Sequence, residues 1–111
     1  MPRATTTSDV FNAVGEGRRR QIIGRLAAVG AMPVGALMAD LGLPQPTVSK
    51  HLAVLRRVGL VGVSRVGRQR VYRLKAENLK PVHDWVAEFE RFWTHQLDRI
   101  KQRAEREEQQ P

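Results

Sequence analysis

Residues 37–60, LMADLGLPQPTVSKHLAVLRRVGL, hold two helical apolar patterns separated by a Gly-Leu-Pro break. In the second, Val48, Leu52 and Leu55 fall at i, i+4 and i+7, which gives a helix with one buried face. The spacing predicts that helix over about residues 45–58, closed by Gly59. A shorter helix over about residues 34–41 precedes it, burying Leu37 and Leu41 and stopping at Gly42. Thr47, Lys50, His51 and Val54 are then expected to share the side opposite the core, open to a partner. Gln45, Pro46, Thr47, Ser49, Lys50 and His51 crowd the first two turns with short polar and basic groups. A short helix, a tight turn and a polar-faced second helix are the layout of a helix-turn-helix. Few folds accept that order.

The flanks fill out one small domain. Residues 1–7 are Thr-rich, lack an apolar pattern, and read as an arm. Ser8 is placed to cap a short helix carrying Val10, Phe11 and Val14, ending near Gly15 and Gly17. A second helix is predicted over about residues 18–29, burying Ile22, Ile23, Leu26 and Val29, with Gly30 and Pro33 bracketing the next break. After the helix-turn-helix, Val61 and Val63 alternate, then Tyr72 and Leu74, around a Gly67-Arg68-Gln69 tip, which reads as a β-hairpin. One long helix is predicted over residues 79–107. Val82, Val86, Phe89, Trp93, Leu97, Ile100 and Ala104 recur there at steps of four and three, widened by Trp85 and Phe92. The last residues, through 108–111, read as a frayed, solvated tail. The expected fold is mainly α with a small β-hairpin, a domain over residues 8–107.

Charge narrows the partner. The formal net charge is +8. Of 19 Lys/Arg, eight lie between Leu41 and Ala76 without one Asp or Glu, leaving 11 basic residues against 11 acidic ones elsewhere. Lys50, Arg56, Arg57, Arg65, Arg68, Arg70, Arg73 and Lys75 therefore carry the whole excess on about a third of the chain. Such focusing points to a polyanion, and its overlap with the helix-turn-helix points to double-stranded DNA. Gln45 suits adenine, Lys50 guanine and the Thr47 methyl thymine, while Ser49 and His51 suit bases or phosphates. Arg65, Arg68 and Arg70, with Gln69, crowd the hairpin tip and suit the minor groove or its phosphates. Arg56 and Arg57 serve either phosphates or the helix dipole. A DNA-coating protein of low sequence preference would share the charge without needing the base-reaching set.

The terminal stripe suggests a second copy. Phe89, Phe92 and Trp93 on so long a helix exceed what a small domain covers, so Val82, Trp85, Val86, Phe89, Phe92, Trp93, Leu97 and Ile100 are expected at a homodimer interface. A membrane-surface role is disfavoured by Asp84, Glu88, Glu90 and Asp98. The composition includes no cysteine, which excludes disulfides and thiolate metal sites. No apolar run approaches a membrane span and no secretion signal is visible, so the expected location is cytoplasmic. His51, His83 and His95 are scattered, Ser49 and His51 at i,i+2 point apart, and no phosphate-binding glycine loop appears, so no enzyme is expected.

With these parts in place the chain resembles the ArsR/SmtB-like family of bacterial winged-helix repressors over about residues 8–100. The segments GRRRQIIGRLA, LPQPTVSKHLAVLRRVGLV and VGRQRVYRL carry the resemblance, and FERFWTHQLDRIK looks like members lacking metal-binding cysteines. It implies a homodimer whose first and last helices pack across a twofold axis, adding Val10, Phe11 and Val14 to the interface. One recognition helix per subunit would lie in the major groove of an inverted-repeat operator, and repression would follow. The motif supports Thr47, Ser49 and His51 most directly. Pro44 departs from it, standing where many relatives carry Ser or Thr, so a hydroxyl cap is absent. Metal-sensing relatives carry cysteines where Pro33 and Gly35 stand, and others two histidines eleven apart on the last helix. Here His83 and His95 are twelve apart, a rotation of roughly 100° off register, with Thr94 in the needed place and Pro81 replacing a carboxylate. No metal or cofactor is expected, and the sequence names no small-molecule effector.

Overall fold

The computed structural model describes the backbone of residues 7–109 and the side chains of residues 9–108. Of the arm expected over residues 1–7, residues 1–6 lie outside the described residues, as do residues 110–111 of the tail, whereas Thr7 is already helical. Helix α1 spans Thr7–Val14. It begins before Ser8, which therefore lies inside the helix and not at its cap. Val10 and Ala13 are buried, whereas Phe11 and Val14 are half-buried.

Helix α2 spans Gly17–Val29 and is capped by Glu16, whose side chain accepts from the Arg19 amide. That carboxylate satisfies one of the four unpaired donors at a helix start. Ile22 and Leu26 are buried, but Val29 is 54% exposed, against expectation. Its angle on the helix is right. It stands on the last residue of α2, past the end of the core, where Gly30 (φ +98) turns the chain away.

A two-residue strand β1, Met32–Pro33, leads into helix α3, Val34–Leu41. Leu37 is fully buried and Leu41 half-buried. Gly42 in the left-handed region (φ 64, ψ 33) ends α3, and the Gly42 and Leu43 amides both bond the Met38 carbonyl. An exposed Arg25–Asp40 ion pair at 3.0 Å links α2 to α3.

Helix α4, Gln45–Arg57, buries Val48, Leu52 and Leu55 as expected. Its end is a Schellman motif: the Leu60 amide bonds the Leu55 carbonyl at 2.9 Å and the Gly59 amide bonds that of Arg56 at 3.1 Å. Leu55 and Leu60, the pair that packs in this motif, are both fully buried. The chain then forms strand β2, Val61–Val66, and strand β3, Gln69–Leu74, antiparallel with Val61 opposite Leu74 and Val66 opposite Gln69. The tip is therefore the two residues Gly67-Arg68, with Gln69 already in β3. Gly67 has φ +62 and Arg68 does not share the positive φ, the pattern of a II′ turn.

The sheet has three strands in the order β1-β3-β2, not a hairpin alone, because Met32 pairs with Tyr72 and Pro33 with Val71. A two-residue strand is too short to show alternation in sequence. The core runs from Val10 to Val61 through Ala13, Ile22, Leu26, Met32, Leu37, Val48, Leu52, Leu55 and Leu60. A 3-10 turn, Ala76–Leu79, follows β3, and Asn78 Nδ2 donates to the Gly59 carbonyl, fastening this segment to the end of α4.

The chain divides into two compact units, up to Pro81 and from Val82 onward. The expected single C-terminal helix is in fact two: α5, Lys80–Ala87, and α6, Glu90–Gln109. At the break the Glu88 amide bonds the Trp85 carbonyl and the Phe89 amide that of Val86, both i→i−3, before Trp93 resumes i→i−4 bonding to Phe89. Neither glycine nor proline stands there, and the local sequence does not account for the interruption. The Trp85 and Phe89 rings meet edge to face across it, centroids 5.5 Å apart. The tail is helical through Gln109, further than expected.

Candidate nucleic-acid interface

Three buried side chains fix how α4 is rotated, and so which of its other residues reach outward. With Val48, Leu52 and Leu55 inward, Lys50, Ala53 and Arg57 lie on the opposite side, and Ser49 and Arg56 on one flank. Gln45, Pro46, Ser49, Lys50 and Arg57 are exposed. Thr47, His51 and Val54 occupy the other flank and are half-buried, so the expected grouping of these three with Lys50 on one open side is corrected. Val54 lines a cleft with Asp9, Asn12 and Arg19 from the first two helices. The angles were legible in the sequence; the elements that cover this flank were not.

Pro44 caps α4 without a side-chain hydrogen bond, as its missing hydroxyl requires. The Thr47 and Val48 amides both bond its carbonyl, at 3.1 and 3.2 Å, so the first turn is closed by backbone. Pro46, in the same turn, removes a donor that would have no helical partner.

The sheet supplies the second half of the surface. Along β2 the sequence Val61, Val63, Arg65 points to one face, and along β3 Leu74, Tyr72, Arg70 points to the same one. The face is apolar where the domain covers it and cationic where it runs out toward the tip. Ser49, Ala53, Arg56 and Arg57 of α4 line one open groove with Arg70 and Tyr72 of β3. Arg56 and Arg70 also line the adjoining groove with Arg65 and Arg68. Arg56 is thus common to both, a placement the sequence left undecided. Gln69 is exposed beside the tip on the other face, where Arg73 donates to Ser64 Oγ at 2.6 Å. Among the described residues Lys50, Arg56, Arg65, Arg68 and Arg70 make no ion pair.

On the half-buried flank, His51 meets a carboxylate. Its side chain is 13% exposed, and Nδ1 lies 3.9 Å from Glu16 Oε2. Among the described residues that buried nitrogen has no hydrogen-bond partner. The Arg19 amide bond holds the Glu16 carboxyl below its ordinary value of 4.5, and the nearby His51 acts in the same direction against desolvation. The role of Glu16 was not legible in the sequence, because Gly17 read as the end of a helix.

In the second unit Val82 and Val86 are half-buried. Trp85, Phe89, Phe92, Trp93, Leu97 and Ile100 are 42–64% exposed. Val10, expected beside them, is 4% exposed within its own chain, which leaves it almost no surface for a partner. His83 sits 3.3 Å from Asp84. His95 shares a shallow surface with Glu88, Glu90 and Asp98. Among the described residues no three His, Cys, Asp or Glu side chains group to hold a metal ion, and no helix is long and apolar enough to cross a membrane.

A helix-turn-helix joined to a cationic two-stranded wing defines a winged-helix DNA-binding protein. Residues 16–63 match the family described as bacterial regulatory protein, arsR family. The HTH-type transcriptional regulator Rv2034 of Mycobacterium tuberculosis is 39% identical over 87 residues, 78% of either chain. The ArsR-like transcriptional regulator from Rhodococcus sp. RHA1 superposes with a TM-score of 0.67 at 28% identity, over 88% of this chain and 89% of that one. The transcriptional repressor BigR from Xylella fastidiosa does so at 0.59 and 30% identity, over 74% and 84%. The chain belongs to the bacterial arsR family of DNA-binding transcriptional regulators.

Proposed function

We propose that the protein is a repressor that binds an inverted-repeat operator as a homodimer, each copy placing α4 in the major groove. The observation that carries this reading is the open groove in which Ser49, Arg56 and Arg57 of α4 face Arg70 of the wing. A duplex laid there meets side chains that reach base edges and cations that meet its backbone, as phosphate contacts position and base contacts specify. Gln45, Thr47, Ser49, Lys50 and His51 read bases, with Pro46 in contact at the helix start. Arg57, Arg65, Arg68, Gln69 and Arg70 hold phosphates or the minor groove, and Arg56 joins them. The exposed aromatic stripe of α5 and α6 supports pairing of two copies, and Phe11 and Val14, half-buried on α1, are assigned to the same dimer contact. Repression follows from occupancy, without catalysis or a bound cofactor, in the cytoplasm where promoters are accessible.

The test compares a duplex from immediately upstream of the protein's own coding sequence with a random duplex of equal length, at one salt concentration. A specific repressor prefers its operator by about 10³ or more, and a ratio below about ten points instead to an architectural DNA-coating protein. If a dimer neutralises roughly 6–10 phosphates, affinity falls by about 10³–10⁵ between 50 and 200 mM salt. Lys50→Ala should change which sequences are preferred, whereas Arg68→Ala should weaken all duplexes alike; identical profiles for the two variants contradict the division of roles.

A further inference from the structure

We propose that Glu16 is a positioning residue for DNA recognition: its carboxylate closes the start of α2 and also holds the His51 imidazole with Nδ1 inward and Nε2 as the nitrogen offered to DNA. The inference rests on α4 being the DNA-reading helix, and adds to it the group that decides what one of its side chains can present.

Three observations meet at a single carboxylate oxygen. Glu16 Oε2 accepts from the Arg19 amide at 3.0 Å. The same oxygen stands 3.9 Å from His51 Nδ1. That nitrogen is buried and, among the described residues, has no hydrogen-bond partner. If Nδ1 carried a lone pair, a buried acceptor would face a carboxylate, with no donor directed at it. A proton on Nδ1 turns the same arrangement into a charge-assisted donor, completed when the two groups close by about 1 Å.

The consequence follows from how a histidine holds its protons. A neutral ring has one N–H, so fixing it on Nδ1 leaves Nε2 with a lone pair. In the major groove such an acceptor can take a hydrogen from the exocyclic amine of adenine or cytosine. It offers nothing to a phosphate, which only accepts. Released from Glu16, the proton could sit on either nitrogen, and the ring would no longer present a defined group. Glu16 lies outside α4 and far from it in sequence, yet it settles which hydrogen bond His51 can make.

Cap and orientation can be separated by Glu16→Asp. Aspartate is a preferred helix cap, so the Arg19 amide stays satisfied. Its shorter arm withdraws the carboxylate from His51 by about 1.5 Å, one carbon–carbon bond. Nitrogen-15 shifts of the neutral His51 ring in the free protein should report Nδ1–H in the wild type and a shift toward Nε2–H in the variant. Affinity for the upstream duplex should fall about 3–10-fold, the size of one hydrogen bond, with thermal stability little changed. His51→Gln should cost a similar factor, and the double variant should be no weaker than His51→Gln alone. An Nε2–H ring in the free wild type overturns the proposal whatever the DNA result, as does a wild-type affinity unmoved by Glu16→Asp. A wild type that does not distinguish the two duplexes removes the parent reading first, and the positioning role with it.

Discussion

Arg65 and Arg70 stand directly opposite one another next to the turn. In a two-residue hairpin the closing pair, Val66 and Gln69, exchanges hydrogen bonds. Arg65 and Arg70 are then the non-bonded pair, with Cα atoms about 4.5 Å apart and side chains closest. Like charges so placed oppose pairing of the strands. A wing kept in this condition makes sense if an anion relieves it. Arg70→Gln should therefore raise the stability of the free protein by ~0.5 kcal/mol or less at low salt, with the gain vanishing at high salt. The same change should weaken duplex binding. A variant that melts earlier than wild type at low salt would show that the two cations do not repel.

At the scale of elements, the start of α2 hangs on Glu16, whose folded carboxyl is held below 4.5 chiefly by the Arg19 amide. A depressed carboxyl contributes stability that is complete above its unfolded value and is lost as pH falls through the folded one. Relative to Glu16→Gln, the wild type should melt higher at pH 6, and the difference should shrink as the pH falls below about 4.5. A difference independent of pH would remove the ionised cap from the account. This cap also shows where sequence reading stopped. Helices α2, α3 and α4 were legible because their apolar residues recur at helical spacing and Gly30, Gly42 and Gly59 end them. Strand β1 was not, since two residues carry no period, and neither was the interruption at Glu88–Phe89, which no breaker residue marks. On α4 the spacing of Val48, Leu52 and Leu55 set the rotation, but the covering of His51 and Val54 arises from helices distant in sequence. Propensity and period speak for a segment; what lies over it is decided by the rest of the chain.

Across the whole molecule, charge and exposed apolar surface are segregated along the chain. The uncompensated cations end at Lys75, and the exposed aromatic stripe begins at Trp85. Disrupting the proposed pairing of two copies therefore need not unfold or alter the cationic surface. Trp93→Glu should leave residues up to Pro81 folded, as judged by their amide spectrum, yet convert the protein to a monomer in sedimentation, with operator affinity falling because each half-site then binds alone. A variant that still sediments as a dimer would move the interface elsewhere. The outer strand of the wing's sheet bears on the same question. It is two residues long, and one of them is Pro33, paired to Val71. A peptide approaching this border finds too few amides to continue the ladder, since Pro33 has none. The sheet is finished where it stops, and fibrous stacking through that side is denied to it.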